Sequence, residues 1–150
     1  MRSTVLVMWC VALAVVYSSA QQRNVHVIDQ ADVSRTLAGS AEPNPFSELA
    51  QGDGFRVTVR RRTQLDVASQ HDRRVEVYHI LDGSATLVTG GRLRASKKVD
   101  DQGNSEGTGI DGGSARVVGK GAIVVLEAGL PHTFSKIDGS ITYTTTWIFR

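Results

Sequence analysis

Short β-forming runs cut by glycine turns constrain this chain more than any other feature. Phe55, Val57 and Val59 alternate with Arg56, Thr58 and Arg60, the two-residue period of a strand whose faces meet different surroundings. Residues 75–81 are rich in β-formers and run into Asp82-Gly83, a pair that favours a hairpin turn, and residues 85–89 follow, closed by Gly90-Gly91. Strand signals resume at residues 116–118 and 122–126. Ala128-Gly129 makes a turn before Pro131, and residues 141–149 place Ile141, Tyr143, Thr145, Trp147 and Phe149 on one face. Short strands at this spacing predict an all-β antiparallel sandwich or barrel. One short helix is expected at residues 29–39, with Val33 and Leu37 four apart and Gly39 as its stop. Residues 40–54 hold Pro43, Pro45, Gly52 and Gly54 and read mostly as loop; residues 95–114, polar and glycine-rich, read as a long exposed loop between strands.

The apolar residues are unevenly spread. Arg2 is followed by an uncharged run from Val5 to Tyr17 and then Ser18-Ser19-Ala20. That run is shorter than the ~20 residues needed to span a bilayer core, and Ser18 and Ala20 suit the small positions before a cleavage site. Residues 1–20 are therefore expected to be a secretory signal peptide, with a secreted, periplasmic or extracellular product starting at Gln21. Cys10, the one cysteine of the 150 residues, would leave with the signal. A thiol-free exported domain has no disulfide and depends on its core, a metal or a partner subunit. Lys plus Arg number 17 against 15 Asp plus Glu. So slight an excess argues against nucleic-acid binding. Removal of the signal leaves no reason to expect membrane attachment. Asn24, Asn44 and Asn104 all fail the N-glycosylation pattern.

Without cysteine, a transition-metal site must use His, Asp or Glu. The histidines are His26, His71, His79 and His132. Glu76 shares strand parity with Tyr78 and Ile80, five residues after His71, while His79 falls on the other face. A carboxylate on an otherwise apolar face needs a partner, and either a metal or an arginine would serve. His132 follows a Gly-Leu-Pro turn. His79 reads as an outward-facing residue and His26 as incidental. Arg60, Arg61 and Arg62 form a charge run that reads as a solvated edge, although alternate members would be able to reach an anionic ligand. Tyr78, Tyr143 and Trp147 read as core or pocket wall, and Glu127 as structural.

The segment from His71 through Glu76 to Gly83 resembles the first motif of the cupin superfamily: a histidine, four residues, a glutamate, six residues and a glycine. Ser69 stands where that motif carries its first histidine, and Thr63 where it carries its leading glycine. The segment Gly121 to His132 resembles the second motif, with Gly121, Gly129 and His132 in register, Glu127 in place of a proline and Lys136 in place of an asparagine. The resemblance covers roughly residues 55–149. It implies a single jelly-roll β-barrel domain at residues 55–150, preceded by an N-terminal extension at residues 21–54. It further implies a divalent transition metal (Fe, Mn, Ni or Zn) inside the barrel on His71, Glu76 and His132, with Ser69 a poor fourth ligand. Homodimers paired through sheet edges are common in the family.

Two functions follow from the resemblance. One is a metal-dependent enzyme acting on a small organic substrate by oxygenase, isomerase, epimerase or lyase chemistry, with Tyr78 or Tyr143 moving a proton. The other is a non-catalytic module whose barrel holds a small ligand such as a sugar. The fold alone does not choose between them.

Overall fold

The computed structural model describes residues 25–38, 40 and 42–150; the expected signal peptide, Cys10 and Gly39 lie outside them. One helix, α1 (Gln30–Leu37), precedes eleven strands: β1 (Phe46–Gly52), β2 (Phe55–Arg62), β3 (Ala68–His71), β4 (Arg74–Thr89), β5 (Arg92–Arg94), β6 (Lys97–Lys98), β7 (Asn104–Gly107), β8 (Gly109–Asp111), β9 (Ser114–Gly119), β10 (Ile123–Leu126) and β11 (His132–Phe149). No helix among the described residues is long and apolar enough to cross a membrane.

The expected jelly-roll barrel is present, and two long strands organise it. β4 and β11 pair antiparallel along nearly their whole lengths, from His132↔Thr89 to Phe149↔Arg74. Their outer ends belong to one sheet, in which β10 flanks β4 and β2 and β1 flank β11. Their inner ends belong to a second sheet, in which β9 flanks β4, and β3, β7 and β6 continue beyond β11. Between the two sheets lies a core of Tyr78, Ile80, Ala85, Leu87, Val118, Leu126, Phe134, Ile141 and Tyr143.

The crossing from one sheet to the other occurs at Gly83. The sequence suggested that Asp82-Gly83 closes a hairpin, but β4 continues through it. The register slips between Ile137 and Ile141, so that Gly83 faces Ile141 and both strands turn the corner together. Gly83 has φ +75°, and a Cβ there would lie 1.9 Å from the Ser140 carbonyl oxygen. Both the left-handed backbone and the close approach require glycine.

Three further expectations are corrected. Residues 40–54, read mostly as loop, contain β1, which hydrogen-bonds along β2. Residues 95–114, read as an exposed loop, contain β6, β7 and β8. Their side chains are polar or only partly buried, so no apolar periodicity announces these strands. Strand β11 begins at His132, nine residues before the predicted start.

Helix α1 starts from a capping box: the Asp29 carboxylate accepts from the Asp32 N–H, and Asp32 returns a bond to the Asp29 N–H. Eight residues are too few for a helix to stand alone. Val33 and Leu37 bury themselves against Val59, Leu49 and Leu81 on the outer face of the first sheet, worth about 1.5–3 kcal/mol for each large side chain. This fixes the orientation of β2: Val57 and Val59 face outward toward the helix, and Arg56, Thr58, Arg60 and Arg62 face the barrel interior. Replacing Gly83 by Ala is expected to cost about 2 kcal/mol or more, read as a lowered midpoint in chemical denaturation; an unchanged midpoint would contradict the role of the corner.

Candidate metal centre

Backbone pairing brings His132 onto His71 and Glu76, which are close to each other in sequence but far from His132. His71 ends β3, Glu76 is the third residue of β4, and the Asp72-Arg73 turn between them folds one onto the other. His132 opens β11 opposite Ser69 of β3. The Glu127–Leu130 turn is pinned to the same place, because Gly129 N–H donates to the His71 carbonyl at 2.8 Å. The period of β4 puts Glu76 inward beside Tyr78 and Ile80, and Glu76 is 4% exposed. One ligand atom from each of His71, Glu76 and His132 lies within 4.8 Å of the others.

The two imidazoles are oriented from behind. His132 Nδ1 lies 3.0 Å from the Leu130 carbonyl oxygen, which only accepts, so Nδ1 carries the proton and Nε2 keeps its lone pair. His71 Nδ1 lies 2.7 Å from Asn104 Oδ1. Asn104 Nδ2 donates to Asp100, whose carboxylate also accepts from the Asn104 and Gln102 N–H groups. That arrangement holds the Asn104 oxygen toward His71 and makes His71 Nδ1 a donor as well. The free Nε2 atoms then point at Glu76, 3.4 Å from Oε1 for His71 and 3.5 Å from Oε2 for His132. Such outer bonds on the second nitrogen are a regular feature of metal-binding histidines.

Glu76 has two further partners. Arg74 Nε donates to Oε1 at 2.7 Å and the Tyr78 hydroxyl to Oε2 at 3.0 Å. Burial opposes its ionisation, but His132, His71 and Arg74 together hold its carboxyl below the ordinary value. Burial pushes His71 down to about 4, against the pull of Glu76, and lowers His132 as well. Both imidazoles are therefore neutral near pH 7, which leaves Arg74 as the permanent counter-charge. Burial, reinforced by Glu76, raises Tyr78 well above its ordinary value, so its hydroxyl stays protonated.

These residues fit a divalent ion. Two neutral imidazoles with free Nε2 atoms and one carboxylate are a competent donor set. The two His–Glu76 spacings, 3.4 and 3.5 Å, match neighbouring ligands of one ion, which lie roughly 3–4 Å apart. Glu76 already accepts two hydrogen bonds, yet a carboxylate offers about four lone-pair sites. Ser69, half-buried, lines a small cavity of about 30 Å³ with Arg62, Tyr78, His132 and Tyr143.

The remaining sequence candidates separate cleanly. His79 is exposed on the outer face, beside a groove of about 820 Å³ under α1. His26 is exposed, its ring 6.1 Å from that of Phe55. Glu127 is exposed and its carbonyl closes the turn before His132. Lys136 points to solvent and pairs with Asp138. Trp147 is half-buried, with the Arg74 guanidinium 4.1 Å over its ring. The charge run Arg60–Arg62 is not a solvated edge throughout: Arg61 faces the outer groove, whereas Arg62 turns inward and donates to the Tyr143 hydroxyl at 2.9 Å. Sequence reasoning missed Asn104 and Asp100, which sit in the stretch read as loop, and did not single out Arg74, whose parity with Glu76 was the available signal.

No protein-family model and no curated protein sequence matches the chain. Its fold does match solved structures. DMSP lyase DddQ from Ruegeria pomeroyi aligns with TM-score 0.51 and 18% identity over 71% of this chain and 47% of that one. The cupin domain of Schizosaccharomyces pombe Cnp3 aligns with TM-score 0.53 and 10% identity over 73% and 66%, and FeII HppE with TM-score 0.52 and 15% identity over 73% and 53%. The chain thus spans about half to two thirds of each of these proteins. At such identities the likeness is one of fold, and together with the two-sheet barrel and its β4–β11 crossing it shows that this chain has the cupin fold.

Proposed function

We propose that the chain holds one divalent transition metal at His71, Glu76 and His132 and acts there on a small organic molecule. The carrying observation is the convergence of two His Nε2 atoms on one buried carboxylate, each imidazole oriented by a bond to its other nitrogen. A bound ion would supply Lewis acidity or a binding place for O₂. The protein's own groups would do the rest: the Tyr78 hydroxyl, which stays protonated and donates to Glu76, orients that carboxylate at the edge of the centre, and the barrel wall excludes bulk water. That neighbours in fold include a DMSP lyase and the FeII protein HppE supports a metal-dependent enzyme, of lyase, oxygenase, isomerase or epimerase type. That Arg74 and Tyr78 already meet the Glu76 charge without an ion favours a second reading, a metal-free barrel that binds a small ligand such as a sugar without turnover.

Elemental analysis separates the two. The purified protein is expected to carry about one equivalent of Fe, Mn, Ni or Zn, and a Glu76→Ala, His132→Ala variant that keeps its circular dichroism is expected to carry almost none. Metal-free wild-type protein after dialysis against each ion, or an unchanged variant, would sink the proposal. Asn104→Ala is expected to weaken metal affinity about 10- to 100-fold in a chelator competition, because His71 loses the bond that orients it. Undiminished affinity would show that Asn104 does not position the ligand.

We further propose that residues 1–20 are a cleaved leader and that the protein works outside the cytoplasm. N-terminal sequencing of the exported protein is expected to begin at Gln21; a chain retaining Cys10 would contradict it.

A further inference from the structure

We propose that the molecule received by this centre is an organic acid, and that Arg62, supported by Arg60, holds its carboxylate. The proposal deepens the metal-centre reading, on which it rests for where the reacting end of the ligand lies.

Strand alternation is the starting point. Because α1 claims the Val57 and Val59 face of β2, the opposite face sends Arg56, Arg60 and Arg62 toward the interior, where Arg74 joins them from β4. Carboxylates answer three of the four: Glu48 lies 3.2 Å from Arg56, Asp66 3.0 Å from Arg62 and Glu76 2.7 Å from Arg74. Arg60 has no ion pair or side-chain hydrogen bond among the described residues and instead lies over the Phe46 ring at 4.3 Å. The interior therefore carries a surplus positive charge before any metal is added, and a divalent ion would add two more. Half-buried positive charge of this kind favours an anion over a neutral ligand.

Arg62 is the better placed of the two. Its side chain is 16% exposed, and its Nε is fixed on the hydroxyl of Tyr143, a residue itself 1% exposed. Asp66, 44% exposed, takes one terminal nitrogen. The other terminal nitrogen makes no hydrogen bond among the described residues. The residue lines the 30 Å³ cavity it shares with Ser69, Tyr78 and His132, a volume close to that of one water molecule. A planar guanidinium with an open nitrogen beside such a space suits a carboxylate oxygen. The small volume means that only the acid group or the reacting carbon enters fully, the rest of the ligand remaining toward solvent.

Calorimetric titration with acid and amide pairs (acetate and acetamide, lactate and lactamide, succinate and succinamide) tests this, on both metal-loaded and chelator-stripped protein. At least one acid is expected to bind tenfold or more tightly than its amide. Arg62→Gln is expected to weaken that acid about 10- to 100-fold at unchanged metal content, Arg60→Gln to weaken it less, and Arg61→Gln, the same charge change on the outer face, to leave it unaltered. Arg62→Lys keeps the charge and is expected to retain the preference for the acid, which covers the case in which Arg62→Gln fails to fold. Equal binding of acid and amide, no binding of any acid, or an equal loss in Arg61→Gln overturns the proposal. Should the protein take up no metal yet keep an Arg62-dependent preference for acids, the metal reading fails and this one stands; metal uptake without the preference is the reverse.

Discussion

A carboxylate buried inside a small barrel is the constraint around which the site is arranged. Removing Glu76 from water costs several kcal/mol unless its charge is met, and here Arg74, Tyr78, His71 and His132 all turn toward it. Each of those groups is then constrained in turn. Arg74 stacks on Trp147, His71 leans on Asn104 and Asp100, and Tyr78 packs on Tyr143 at 4.9 Å between ring centres. Tyr143 in turn receives Arg62. A polar chain thus runs across an otherwise apolar core and ends at the inward arginines of β2.

The barrel makes this affordable because β4 and β11 serve both sheets. Glu76 and Tyr78 lie on the half of β4 in the first sheet, and His132 opens the half of β11 in the second, so the centre sits where the sheets face each other. The glycine corner at Gly83 sets how the two halves meet. Stability and site geometry therefore depend on the same strand crossing, whereas the groove under α1, although larger, lies on the far side of the first sheet.

Much of this was legible in the sequence where side-chain chemistry repeats with a period. The alternation of β2 and the end of β11 revealed strands, and the parity of Glu76 with Tyr78 and Ile80 revealed an inward carboxylate. The resemblance of the His71–Gly83 and Gly121–His132 segments to cupin motifs pointed to the residues that the structure brings together. Two kinds of feature were not legible. Asp82-Gly83 has the composition of a hairpin turn, and only the register of its partner strand makes it a corner. Residues 95–114 form strands whose side chains are polar or only partly buried, so Asn104 and Asp100 looked like loop polarity rather than support for His71. The arginine run of β2 was ambiguous for a related reason: which members face inward depends on where helix α1 docks.

The most direct measurement of the central claim is anomalous X-ray scattering from crystals grown with each candidate ion. The account requires a single strong peak about 2.0–2.3 Å from His71 Nε2, His132 Nε2 and one Glu76 oxygen. A peak at other residues, or no peak with Arg74 and Tyr78 still bound to Glu76, would contradict it.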